Sequence, residues 1–480
     1  MNQVRLIGGE MADWTDPSPV SGPMLGRLLD LLRPLVPEDG RVLIAGPHAV
    51  SLVDTVAAFA AVTCLVRSQS DALALNGHAA EVLCGTLAKL TDTDRYDVVV
   101  ALDGLDRLCS TEGPQHDWAE SVRALRRSLR PGGALLLAVE NELGVHRLVD
   151  RGLATSRDSG WLPLGEFAPK PGNPARVTEQ LAADGLTVTW LATAWPLPAA
   201  PSLAATVEVL REGPAGALSA AVTGAVAAAY AELPVLADPR RLAAAAVRAG
   251  LGPELAPGWL VLAVDGAAGP AALPGLLTAD GPVAELPEGR LLEELLITAC
   301  LRHDLPTLRR VLTGWAARQP TASFANLVLD GDTFRPLDPS RPATEPAVVL
   351  RGFARTLLAG GYDQPWPAAT DVDALTTILL AVAGLGPELP VDSEPASEPA
   401  PAPPNSLREH EHEVRRLTEL LADAAIRIRH TESELAKRDA ELRRARLQIA
   451  AFSGQVGYRL TRLGARAARK AARAVRRSPS

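Results

Sequence analysis

Five short apolar runs, at 42–45, 62–66, 82–84, 98–102 and 134–139, punctuate the first third of the chain. They are continuous rather than alternating, the pattern of strands buried on both faces of a parallel sheet. Helix-like segments separate most of them, as parallel connections require. Leu129-Arg130-Pro131-Gly132-Gly133 precedes the last run. There Pro stops a helix and the two Gly turn the chain tightly into the sheet. A helix around 176–185 and a strand at 187–193 follow. The pattern predicts an N-terminal extension, 1–22, and then an α/β, doubly wound Rossmann-like domain over 23–198.

Beyond 198 the pattern changes. Residues 199–385 read as a mixed α/β region with a strand at 259–265 and one or two amphipathic helices across 291–315. Two short strands flanking Asp330-Gly331-Asp332 make a hairpin signal. The uncharged run 213–231 is long enough to span a membrane, but it is mostly Ala and Gly with Ser219 and Thr223, so it reads as a buried helix. Residues 386–406 are rich in Pro, Ala, Ser and Glu and form a semi-rigid linker. Over 407–455, Leu407, Val414, Leu421, Ile428, Leu435, Leu442 and Ile449 recur every seven residues, a coiled-coil pattern. Its rod would be roughly 70 Å long at the helical rise. His410, Thr431 and Arg438 weaken the partner seam, which leaves strand number open.

Composition adds three points. Hydrophobic residues make up 47% of the chain but aromatics only 4%, so Ala, Leu and Val must fill the cores. Arg far outnumbers Lys and Ala and Pro are abundant, which points to a GC-rich bacterial genome. The four Cys are scattered with no zinc or disulfide spacing. A reducing cytoplasm is the expected home, and Leu6-Ile7 is too short for a signal core.

Charge is strongly polarised. Eleven basic residues and no acid follow Glu441; without them the formal net charge of −8 becomes −19. Within the tail, 456–480, Arg459, Arg462, Arg466, Arg469, Arg473 and Arg476 recur at steps of three and four and lie along one helix face. Such a stripe suits an anionic membrane surface. Nucleic acid is the competing polyanion; the acidic remainder and the scarcity of base-stacking aromatics argue against it.

The order of the five runs, with "LRPGG" before the last and "RYDVVVALDGLDRL" at the fourth, resembles the class I S-adenosylmethionine (SAM) methyltransferase fold over roughly 23–198. That resemblance implies a Gly-rich cofactor loop after the first strand, and Gly46 fits its first glycine. Ile44 stands where an acid is expected, and His48 and Val50 stand at later glycine positions, where a Cβ would block close backbone approach. The second strand of the family ends in an acid that takes the ribose hydroxyls. Here Arg67 stands there, and arginine only donates. Cys84-Gly85-Thr86 lacks the acid that often reads the adenine amino group. SAM binding is therefore expected to be weak or absent. If methyl transfer to a sugar or lipid-linked glycan does occur, Asp103, Asp106 and His146 are the candidate general bases at suitable strand ends.

Asn326 and Asp338 resemble the paired metal ligands of aminoglycoside-phosphotransferase-like kinases. No carboxylate just before Asn326 matches that family's catalytic Asp, so the resemblance implies a remnant. The whole order of modules resembles the O-antigen chain-terminating methyltransferase-kinases of bacterial surface-glycan assembly. It implies a degenerate, methyltransferase-like scaffold, self-associating through the coiled coil, working with glycosyltransferases and peripheral on the inner face of the plasma membrane. An active methyltransferase and a nucleic-acid-associated coiled-coil protein are the alternatives.

Overall fold

In a computed structural model the described residues are 3–475 apart from 92, 151–169, 231–232, 234, 267–272, 319–321, 338–343, 360–361, 387–406 and 455. The chain divides into two units, Met1–Arg408 and Glu409–Ser480.

In the first unit the five apolar runs are strands: β2 (Arg41–Ala45), β3 (Ala61–Val66), β4 (Glu81–Gly85), β5 (Tyr96–Ala101) and β6 (Leu129–Glu140), after an edge strand β1 (Gln3–Gly8). All six pair in parallel, in the order β1-β4-β3-β2-β5-β6. The five from β2 to β6 thus follow the doubly wound order, reversing direction between β2 and β5. Period-two alternation sends Val42 and Ile44 into one core and Leu43 and Ala45 into another. The first core packs against Leu25, Leu28 and Val53 from the helices Pro23–Asp30 and Val50–Ala57. The second packs against Val122, Leu125 and Val177 from Trp118–Arg127 and Pro174–Ala183. Both faces are covered, which is why the runs are continuous. The chain has a doubly wound, Rossmann-like α/β fold, with a helical C-terminal region.

Local chemistry explains two boundaries. The helix Trp118–Arg127 starts in a capping box, with Asp117 accepting from the Glu120 amide at 2.7 Å and Glu120 accepting from the Asp117 amide at 3.0 Å. The Pro131-Gly132-Gly133 segment lies inside β6, at a register shift against β5. A Cβ on Gly133 would come within 2.9 Å of the Asp97 carbonyl oxygen, so this close approach needs glycine.

The expected boundary near 198 does not separate two sheets. The strand expected at 259–265 is β9 (Gly258–Asp265), and it lies between β6 and β7 (Leu186–Trp195), antiparallel to both. Strands β8 (Leu203–Thr206), β10 (Leu276–Thr278) and β11 (Gly281–Pro282) then extend the same sheet to eleven strands. The apolar run at 213–231 forms the helix Ala215–Tyr230, which puts Leu218, Val222 and Val226 into a core beside the sheet. The last part of the region builds a further core, on helices from Leu292 to Ala383. Trp315, Phe324 and Phe353 stack edge to face there, with centroids 4.8 and 5.3 Å apart. The hairpin is present as β13 (Leu327–Asp330) and β14 (Thr333–Pro336), paired after the short strand β12 (Arg290–Leu291).

The second unit contains the helices Leu407–Gly454 and Val456–Val475. Val414, Leu421, Ile428, Leu435, Leu442 and Ile449 are all exposed. Among the described residues no helix is long and apolar enough to cross a membrane. Of the linker expected at 386–406, residues 387–406 lie outside the described residues.

Candidate functional site

The carboxyl ends of β2, β3, β5 and β6 face the crevice where doubly wound folds bind ligands. Gly46 leaves β2 with φ at 93°, a conformation that favours glycine, and its Cα faces Asp103. Ile44, at the expected acid position, belongs to the core instead.

His48 has a structural post. The Leu102 amide donates to its Nε2 at 3.2 Å, so Nδ1 carries the proton and donates to the Gly46 carbonyl at 3.0 Å. Burial, reinforced by the nearby Arg107 charge and only partly offset by the Gly46 bond, lowers its pKa to about 4. The imidazole is a neutral strut joining the β2 turn to the end of β5.

The N-terminal extension is not an appendage. After β1 the chain crosses the crevice as a strap. The Met11 amide donates to the Arg67 carbonyl at 2.7 Å, Ser68 Oγ donates to the Trp14 carbonyl at 2.6 Å, and the Val20 amide donates to the Pro47 carbonyl at 3.1 Å. Asp16, from this strap, meets Arg67 at the end of β3. Arg67 Nε donates to Asp16 Oδ2 at 3.0 Å, Nη2 donates to the same carboxylate, and Nη1 donates to the Cys109 carbonyl at 3.0 Å. Both side chains are buried, at 0% and 1% exposure. Trp14 lies 5.9 Å from the guanidinium, and its indole N–H donates to Asp16 at 3.0 Å. Arg107 fastens the strap again, donating to the Pro17 and Ser18 carbonyls while paired with Asp103. Arg67 therefore supplies no acceptor for a ribose, and its donors are already engaged. The residues at the end of β3 do not fit the cofactor contact expected there.

Beside the strap remains a cavity of about 230 Å³. Asp103, Asp106, Glu140, Lys170, Trp118 and Trp259 are among its lining residues. Two of the three candidate bases, Asp103 and Asp106, thus meet in one cavity. Burial raises the Asp103 carboxyl to about 6, against the pull of its bonds to Arg107. Lys170 pairs with Asp106. Burial also works against the charge of Glu140, but the His146 hydrogen bond and the Arg147 charge outweigh it and hold that carboxyl at about 2. His146 reaches the cavity only through Glu140, donating from Nε2 at 3.0 Å. Its Nδ1 is buried with no partner among the described residues. Sequence reasoning missed Asp16, Arg107, Glu140 and Lys170, because each acts through a partner distant in the fold or unremarkable in its own segment.

The remaining candidates are dispersed. Asn326 is buried in the turn Phe324–Asn326, and its carbonyl accepts the Leu337 amide at 2.9 Å. Asp338 lies outside the described residues. Among those residues no group of three or more His, Cys, Asp and Glu is placed to hold a metal. Arg459, Arg462, Arg466, Arg469 and Arg473 are exposed on the helix Val456–Val475, and Arg476 lies outside the described residues.

No family model matches the chain, and no curated protein matches it. Similar solved structures include a SAM-dependent methyltransferase from Geobacter sulfurreducens in complex with S-adenosyl-L-homocysteine, 16% identical over 52% of this chain and 94% of that one, with a TM-score of 0.27. A 1,6-didemethyltoxoflavin-N1-methyltransferase from Burkholderia thailandensis, with bound S-adenosylhomocysteine, is 12% identical over 51% and 79%, with a TM-score of 0.26. A geranyl diphosphate methyltransferase in complex with SAM is 11% identical over 51% and 85%, with a TM-score of 0.28. These likenesses concern the fold of about half the chain, which its strand order already defines.

Proposed function

We propose that this chain is a methyltransferase-fold scaffold of cell-surface glycan assembly in which SAM binding has been given up for a fixed internal strap. The observation that carries the reading is the buried Arg67–Asp16 pair at the end of β3. Removing one partner of such a pair costs about 3–5 kcal/mol, because it leaves the other charge buried and unpaired. A ligand that displaced Asp16 without supplying a carboxylate would meet a similar penalty. The glycan assignment is supported by the order of modules: a methyltransferase-fold body, a Pro-rich linker, a heptad helix and a basic helix. In this reading the heptad helix self-associates, the basic helix rests on an anionic membrane, and the body presents surfaces to glycosyltransferases.

Calorimetry of the full chain with SAM and with S-adenosylhomocysteine tests the central point. The expected result is no saturable heat at micromolar ligand. A micromolar Kd for either compound overturns the reading in favour of an active methyltransferase, with Asp103 as the first base to substitute.

A further inference from the structure

The exposed seam of the helix Leu407–Gly454 sets the direction in which a second copy lies on it. A coiled coil packs along two lines of residues, spaced alternately three and four apart. One line here is large: Val414, Leu421, Ile428 and Leu435. The line three residues further on is small or polar: Ala424, Thr431, Arg438 and Ala445. All eight are exposed in the single chain.

Chains running in the same direction stack like on like. Ala424 and Ala445 then make thin layers between layers of paired Leu and Ile, which leaves voids, and Arg438 stacks on Arg438. Reversed chains set one line against the other. Leu435 fills the space over the second copy's Ala424, Val414 fills that over Ala445, and Ile428 packs on Thr431. These layers each pair a large residue with a smaller one, the interdigitation that fills a core. Arg438 lays its stem on Leu421 and keeps its guanidinium outside, where it donates to Glu441 of its own helix at 3.3 Å.

Flanking charges select one antiparallel register. With the reversal centred between Arg429 and His430, Arg427 faces the second copy's Glu434, once on each side of the centre. Among the described residues no like charges face each other there. A slip of one heptad brings Glu432 and Glu434 each onto its own counterpart in one direction, and Arg427 onto its counterpart in the other. Parallel pairing keeps Arg427 near Glu432 and Glu441 near Arg446, but it sets Glu434 against Asp439 as well as leaving the voids.

We infer that the helix Leu407–Gly454 pairs antiparallel with a second copy of itself, centred between Arg429 and His430. The basic tails then leave opposite ends of the rod, roughly 75 Å apart, instead of crowding like charges at one end. A rod with a basic tail at each end lies along an anionic surface. The inference rests on the self-association in the proposed function and adds its direction and register.

Disulfide trapping in the full chain tests this, since the four native thiols are buried. Val414→Cys, Ala445→Cys and the double variant are oxidised and compared on non-reducing gels. In the antiparallel register position 414 meets position 445 of the second copy, while each lies roughly 45 Å from its own counterpart, far beyond disulfide reach. The double variant should be trapped as a covalent dimer that reduction releases, and each single variant should run as one chain. Efficient trapping of either single variant means parallel chains; it overturns the inference and leaves self-association in place. No trapping in any variant overturns it too, and sedimentation of the full-length wild type then shows whether self-association falls with it.

Discussion

His48 shows how a residue at a cofactor-loop position becomes structural. Its neutral form bridges the Gly46 carbonyl and the Leu102 amide, and protonation at Nε2 would destroy the second contact. The folded pKa, about 4, lies below the ordinary 6.5. As pH falls from 6.5 the unfolded chain takes up the proton first, so stability is lost until the folded imidazole titrates. Between pH 7.5 and pH 5 this amounts to about 2 kcal/mol. Asp103 acts oppositely: its pKa is raised to about 6, so its contribution falls as pH rises from 3.8 through 6. Comparing wild type with His48→Gln removes that second group from the difference. In urea denaturation the variant should lose about 1–3 kcal/mol at pH 7.5, from its backbone partners. It should then lose about 2 kcal/mol less than wild type on going to pH 5. Parallel pH profiles for the two proteins would exclude a neutral strut.

At the scale of elements, continuous apolar runs made β2 to β6 readable, because a strand buried on both faces leaves its mark within a few residues. Strand β9 was readable as a strand but not as a member of this sheet. It enters antiparallel from more than a hundred residues after β6, and no local pattern states which neighbour it will join. The strap was opaque for a similar reason. Asp16 and Arg67 are each ordinary residues in their own segments, and only the fold sets them together. The absence of the expected acid at Arg67 was legible; the carboxylate that answers it was not. The heptad helix is the opposite case, since its periodicity is local. Six large aliphatics from Val414 to Ile449 stand exposed on it, which is the unpartnered seam that a second copy would cover. A fragment of residues 407–455 should therefore sediment as a helical oligomer. Leu421→Asp with Leu435→Asp would put carboxylates into that seam and should give a monomer. A wild-type fragment that sediments as a monomer would remove self-association from the proposed function.

The whole molecule separates an acidic body from a basic end: the formal net charge of −8 becomes −19 without the eleven basic residues after Glu441. In the proposed reading that basic end meets an anionic membrane surface, in competition with the acidic body. Five exposed Arg, from Arg459 to Arg473, follow one stripe of the helix Val456–Val475, beside exposed Leu460 and Leu463. Each Arg near anionic headgroups contributes about 1 kcal/mol, and the attraction is screened within a Debye length. Oligomerisation through the heptad helix would present several tails together, so weak single-tail affinity would be multiplied by effective concentration. Replacing Arg462, Arg466, Arg469 and Arg473 with Gln keeps helix propensity nearly constant. It should remove about 4 kcal/mol of attraction per tail. Co-sedimentation of full-length wild type and this variant with neutral and anionic vesicles, at low and high salt, measures the effect. Wild type should pellet with anionic vesicles at low salt and be released at high salt, while the variant should stay in the supernatant. Equal pelleting of the two proteins, or equal pelleting on both lipids, would show that the stripe is not an electrostatic anchor.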